Sequence, residues 1–263
     1  MGWFRRKCPI DAEVGTWIEE SFAWFRKEFG DDPLHADPLL PTPAVIPRDY
    51  SGTADEVRTL FDALRERLSV DPSVVRLTFQ DEDLAALIST VGVTRPPVEC
   101  YRREQGLVLV QVDSYYAADP FRIVARLAHQ LAHVRLLGEE RVTTRRRDHE
   151  QLADLLTVYY GAGVFSVNAS FEARSIIQFT DRDNPNRAGQ YVNVFPQYID
   201  VRRQIDRIGF LSEPQFCYAL ACYAWLREEG WPDWASHLQR DPANSLNDGL
   251  RYLDDTARPG ELP

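Results

Sequence analysis

Two stretches constrain this chain more than any others: AHQLAHVRLLG (Ala128–Gly138) and DHEQLAD (Asp148–Asp154). Around the first, Ile123, Val124, Leu127, Leu131 and Val134 recur at helical spacing. Asp119 can cap that helix and Pro120 suits its first turn, so a helix is predicted from there to Leu137, stopped by Gly138. A second helix is predicted from about Asp148 to Tyr160, stopped by Gly161. The charged loop Glu139–Arg147 between them lets the second helix fold back antiparallel on the first. Side chains four residues apart on a helix share a face. His129 and His133 therefore project together from one helix, and Glu150 and Asp154 from the other. A fold that accepts both patterns must gather these four ionisable groups beside a buried apolar stripe.

That gathering has a chemical meaning. Two imidazoles one helical turn apart can reach a single tetrahedral ion at ~2.0–2.1 Å. Glu150 would supply a third ligand, while Asp154 would accept an N–H from a liganding histidine and so fix its tautomer. His149 and Asp148 compete for the third place, but they point roughly 100° and 200° around the helix from Glu150. Glu150 is favoured because Asp154 shares its face. The plainer alternative is a pair of core histidines satisfied by hydrogen bonds, with no metal.

Elsewhere the apolar period predicts a mainly helical body. Asp11 opens a helix to about Phe29, with Val14, Ile18, Phe22 and Phe25 inward and Gly30 as the stop. A proline-rich stretch follows from Asp32 to Arg48, its Leu39, Leu40, Val45 and Ile46 suited to lying against the body. Thr53 and Glu56 form a capping-box pattern, opening a helix through Val57, Leu60, Phe61, Leu64 and Leu68. Val74–Phe79 reads as a strand and Asp81–Val91 as a short helix; Val98–Arg103 and Leu107–Asp113 read as a hairpin about Gln105-Gly106. Thr180–Gln190 reads as a polar loop. Ser212-Glu213-Pro214 opens a helix through Phe216, Leu220, Tyr223 and Leu226, and Asn244 or Ser245 opens a last one. The order predicts an α+β class: a small antiparallel sheet with a mainly helical body. The expected organisation is a single domain over 1–263, with a helical and proline-rich extension of about 1–70 packed on it.

A net charge of −10 argues against a general affinity for nucleic acid or anionic membranes. The Arg145-Arg146-Arg147 run is too short to reverse that and reads as solvated loop. No run of 18 apolar residues exists, the basic N-terminal residues precede no signal-type apolar stretch, and Arg6 stands where myristoylation needs Ser or Thr. The expected location is cytoplasmic. The four cysteines form no CxxC pair; Cys217 and Cys222 on one predicted helix and Cys100 on a predicted strand read as buried free thiols.

At the two motif stretches the sequence resembles the gluzincin group of zinc metallopeptidases, whose pattern is HExxH followed downstream by ExxxD. It is more similar still to an uncharacterised bacterial family with a HELGH-type helix, a VHLLG-like continuation and a DHExLxDLLTV-like helix. Here these read HQLAHVRLLG (His129–Gly138) and DHEQLADLLTVYYGAGVF (Asp148–Phe165), with a looser likeness at CPID and at GFLSEPQFCYALACYAWL (Gly209–Leu226). The resemblance implies a zincin-like fold with one zinc ion on His129, His133 and Glu150, and Asp154 behind a histidine. It also implies a peptide or protein as substrate or partner. In active gluzincins the residue after the first histidine is Glu, which takes a proton from the attacking water and passes it to the leaving amine. In this chain it is Gln130. A neutral amide cannot accept that proton, so the expectation is a site that keeps its metal and is inactive or nearly so as a peptidase. Such a Gln fits either a natural pseudoenzyme or an engineered variant of a hydrolase. A non-catalytic protein-binding module on a zincin-like fold is the alternative. Glu139 and Glu140 read as loop charges rather than substitute bases. Tyr159, Tyr160, Tyr218, Tyr223 and His237 are the aromatic candidates for steadying an oxyanion, with no motif selecting among them. The oligomeric state is left open.

Overall fold

The computed structural model describes residues 6–79, 101–104, 107–112, 117–170, 172–179, 199–206, 209–257 and 261–262. The predicted helix at Asp81–Val91, the loop at Thr180–Gln190 and Cys100 lie outside these residues. Contacts divide the chain into one unit of Met1–Ser170 with Ile208–Pro263 and a second of Phe171–Arg207.

The first unit opens with α1 (Ala12–Phe29). Asp11 caps it by accepting the Glu13 and Val14 amides at 3.0 and 3.2 Å. Ile18, Phe22 and Phe25 are fully buried along one face, each contributing about 1.5–3 kcal/mol by leaving water. A short turn of helix, α2 (Asp32–His35), leads into the proline-rich segment, whose Leu39, Leu40, Val45 and Ile46 do pack against the core. The capping box predicted at Thr53 forms, with reciprocal Thr53 and Glu56 bonds, and starts α3 (Ala54–Arg67).

Three strands follow: β1 (Val75–Phe79), β2 (Tyr101–Glu104) and β3 (Leu107–Val112), in the order β1-β3-β2. β2 and β3 pair antiparallel, Tyr101 opposite Val110. β1 instead runs parallel to β3, from Val75 against Val108 to Phe79 against Val112. The sheet is therefore mixed, which corrects the expected antiparallel sheet. A hairpin forces antiparallel pairing only on its own two strands, and the chain between Phe79 and Leu107 is long enough for the crossover that a parallel pair needs. Val108, Val110 and Val112 alternate inward, covered by α4 (Pro120–His133), which also packs on α3.

The helical body is completed by α5 (His149–Tyr159), α6 (Gly163–Ser170), α7 (Glu213–Leu226) and α8 (Arg240–Thr256). Gly161 does stop α5, in a left-handed conformation, but α6 restarts two residues later and had no signal in the apolar period. It is buried all round, so it carries no polar face to set a period. Its Gly163 lets α7 approach, since a Cβ there would lie 2.8 Å from Leu220 Cδ2. α8 begins at Arg240 rather than at Asn244 or Ser245. Pro242 is compatible with a first turn, where amides have no intrahelical acceptor. Cys217 and Cys222 are free, buried thiols, as expected, and Cys8 is free and half-buried. Among the described residues, no helix is long and apolar enough to cross a membrane.

The second unit contains β4 (Glu172–Phe179) and β5 (Ile199–Asp206), an antiparallel pair with Ser175 opposite Arg203. No strand is predicted there from the sequence.

One polar pair ties α1 to α7. The Tyr218 hydroxyl donates to Glu19 Oε1, and Glu19 is only 7% exposed. Burial raises the Glu19 pKa above its ordinary 4.5, outweighing the Tyr218 hydrogen bond that favours the carboxylate. A carboxyl whose folded pKa is raised stabilises the fold fully below the unfolded value and loses that contribution as pH rises through the folded value. Glu19→Gln, neutral throughout, should therefore melt higher than the native chain at pH 7, with the difference shrinking as pH falls toward 4.5. Paired thermal melts across pH 4–8 check this; a constant difference would show that Glu19 is not the group responsible.

Candidate metal centre

α4 forms because Asp119 caps it, accepting the Phe121 and Arg122 amides at 3.1 and 3.2 Å, and Pro120 fills the first turn. Its apolar face of Ile123, Val124, Leu127 and Leu131 is buried, which fixes the rotation of the helix and carries His129 and His133 to the boundary facing α5. After His133 the ladder widens into a π turn, Val134–Gly138, closed by the Glu139 amide on the Val134 carbonyl at 3.1 Å. The helix expected to continue to Leu137 thus changes pitch immediately after the second histidine.

Across the gap, α5 presents Glu150 and Asp154. His129 Nε2 lies 3.1 Å from Glu150 Oε2, His133 Nε2 lies 3.0 Å from the same oxygen, and the two Nε2 atoms are 3.1 Å apart. Behind them, His129 Nδ1 donates to Asp154 Oδ1 at 2.7 Å. That bond assigns the tautomer: with the hydrogen on Nδ1, the Nε2 lone pair is aimed at the meeting point. Three atoms that can each act as an acceptor thus converge, an arrangement that a proton or a cation among them stabilises. Ligands around a tetrahedral ion at ~2.0–2.1 Å stand roughly 3.3–3.4 Å apart, so the triangle is a few tenths of an ångström tighter than a zinc ion requires. His129, His133 and Glu150 could hold a metal ion.

The electrostatics agree. Burial works against charge on His129, but the Asp154 and Glu150 carboxylates outweigh it and raise its pKa to about 9. Burial, helped by the neighbouring His129, holds His133 below the ordinary histidine value. Glu150 resists its own desolvation through hydrogen bonds from both histidines, which hold it well below the usual carboxylate range. Without a metal, a proton on His129 beside the Glu150 carboxylate occupies the place a cation would take, and a metal bound there would displace it.

Asp154 is held from a direction absent from the motif. Its Oδ2 accepts the Phe210 amide at 2.6 Å and the Leu211 amide at 3.0 Å. Gly209 turns the chain there at φ +94°, and a Cβ on it would stand 3.1 Å from the same oxygen. The Phe210 ring stacks on His129 with centroids 5.6 Å apart and planes inclined by 20°. Sequence reading gave this turn no role; the only signal was Gly209 opening the segment before α7.

Neither rival third ligand is among the three convergent groups. Asp148 is taken up by Arg146 at 2.7 Å and by the Trp17 indole at 2.8 Å. His149 packs edge-on to His133, ring centroids 5.8 Å apart, and its Nδ1 is 3.7 Å from Glu150 Oε1. Gln130 is half-buried, and its Oε1 is buried with no hydrogen-bond partner among the described residues. Glu139 pairs with Arg135 and Arg141, both at 2.9 Å, and Glu140 is exposed. Of the aromatic candidates, Tyr159 donates to the Gly30 carbonyl, Tyr218 to Glu19, and Tyr160 meets Arg135, all away from the cluster.

Comparison with protein-family models, with curated proteins and with solved structures finds no match to this chain.

Asp154→Ala should weaken binding of a divalent metal ion at this cluster roughly 10–100-fold, the usual cost of losing an outer-shell partner. Gly209→Val should do the same in smaller measure, because it strains the turn whose amides anchor Asp154. Competition titration against a chelator of known affinity measures both, and unchanged affinity in Asp154→Ala would contradict the assignment.

Proposed function

We propose that this chain is a zincin-like metalloprotein that holds one zinc ion on His129, His133 and Glu150 and binds peptide or protein without hydrolysing it at an appreciable rate. The observation that carries the reading is the convergence of two Nε2 atoms and a carboxylate oxygen at 3.0–3.1 Å, with Asp154 setting the tautomer of one imidazole. Two histidines and a glutamate are a donor set that zinc accepts, and three protein ligands leave a fourth position for a substrate group. When bound, the ion supplies Lewis-acid polarisation of a carbonyl oxygen.

The chain's own residues define what it can and cannot add. Asp154 orients His129. Glu150 offers one oxygen to the cluster and keeps the other toward His149. Gln130 follows His129 directly, at the position where the resembled peptidases carry their base. Its amide can donate or accept a hydrogen bond but cannot take up a proton, so the proton transfer that peptide cleavage needs has no acceptor there. The buried Oε1 of Gln130 also indicates what a glutamate would experience at this position: desolvation raises a carboxyl pKa toward the range useful for a base near neutral pH.

The non-catalytic alternative, a protein-binding module that uses the fold as a scaffold, is favoured by the same Gln130. Elemental analysis of the purified chain should find close to one zinc, lost or much reduced in Glu150→Ala. In the zinc-loaded protein, Gln130→Glu should raise peptide hydrolysis about 10²–10⁴-fold over the chain as written, the range typical of general acid–base catalysis. Zinc binding with persistent inertness of Gln130→Glu across a varied peptide library would leave the binding module. Absence of metal even after zinc is supplied would end the metalloprotein reading.

A further inference from the structure

Phe210 is one of the large apolar residues that the fold leaves in solvent. It is 53% exposed, while its neighbour Leu211 is buried. Its place is set by backbone rather than by burial of the ring. The Phe210 and Leu211 amides both bond to Asp154 Oδ2, and Gly209, at φ +94°, supplies the turn. A turn that needs only backbone donors places no demand on the side chain at its middle position, and water favours a polar one there. Instead a phenyl ring lies nearly parallel to the His129 imidazole at 5.6 Å. One face covers a residue of the metal cluster, and more than half of the side chain remains open.

We infer that Phe210 forms the apolar wall of a ligand subsite beside His129. The ligand class is a peptide that carries an aromatic or large aliphatic side chain next to the group meeting the metal. This rests on the metal-site reading given above. The bonds to Asp154 fix the backbone that carries the ring, and the ring's stacking on His129 sets the direction of the wall. Ring-on-ring contact contributes beyond area burial, which corresponds to roughly three- to tenfold in affinity.

The test uses the full chain loaded with cobalt(II), whose visible absorption reports changes at the metal, and two hydroxamate probes. Acetohydroxamate presents the metal-binding group alone, and phenylalanine hydroxamate presents the same group beside a benzyl side chain. The native chain should prefer the benzyl-bearing probe. Phe210→Ala should lose roughly three- to tenfold on that probe and nothing on acetohydroxamate, and Phe210→Tyr should retain the preference. Equal weakening of both probes in Phe210→Ala would mean that the ring only steadies His129, and no change in either would remove it from the site; both results overturn the inference while leaving the metal site standing. Failure of the native chain to take up cobalt would overturn the inference and the metal reading together.

Discussion

A carboxylate taken out of water is costly unless donors replace the water it loses. Asp154 is 4% exposed and has three such donors: the His129 ring and the amides of Phe210 and Leu211. Those donors belong to α4 and to the turn before α7, while Asp154 itself sits on α5. One side chain thus carries the mutual placement of three segments that are far apart in sequence. Without it, His129 would lose the bond that fixes its Nδ1 hydrogen and directs its Nε2 toward Glu150. The apolar packing of α4 brings the groups near, and the Asp154 bonds decide where they point.

The surroundings keep that arrangement from loosening. The connection between the two site helices is long and charged, yet it is fastened to α1 at several points. Arg141 bonds Glu28 at 2.9 Å and lies over the Phe29 ring, Arg146 lies over Trp24, and Trp17 holds Asp148, the residue just before α5. Tyr159, near the end of α5, packs against Phe22 and Phe25 of α1. α1 therefore acts as a brace on which α5 and its incoming loop rest. This gives the N-terminal helix a part in positioning Glu150 without any contact to the cluster.

Much of this was legible from spacing. His129 and His133 share a face because they are four apart, as do Glu150 and Asp154, and the antiparallel return of α5 follows from a helix stop and a loop between them. The caps at Asp11, Thr53, Asp119 and Ser212 could be read because each is a local hydrogen-bonding arrangement written in a few adjacent residues. What escaped reading was non-local or lacked contrast. β1 pairs parallel with β3 across a long crossover, which no local pattern encodes. α6 and α7 are buried on every side, so α6 had no polar face to reveal it, and α7 was found through its Ser-Glu-Pro start. The Gly209–Leu211 turn acts through backbone amides, and these carry no side-chain signature. The role of Gln130 is legible only against a resemblance, since nothing in spacing alone marks the residue after a histidine as a base.

The π turn at Val134–Gly138 amounts to one residue more than a regular helix would use over the same span. Relative to an unbroken α-helix, everything downstream is rotated by about 100°. The extra residue is absorbed within five positions, ending where Gly138 gives way to the exposed loop. The histidine pair sits just upstream, so its register against the core is set before the irregularity begins. The wide turn thus takes up its extra residue downstream of the histidine pair and upstream of the loop that is tied to α1.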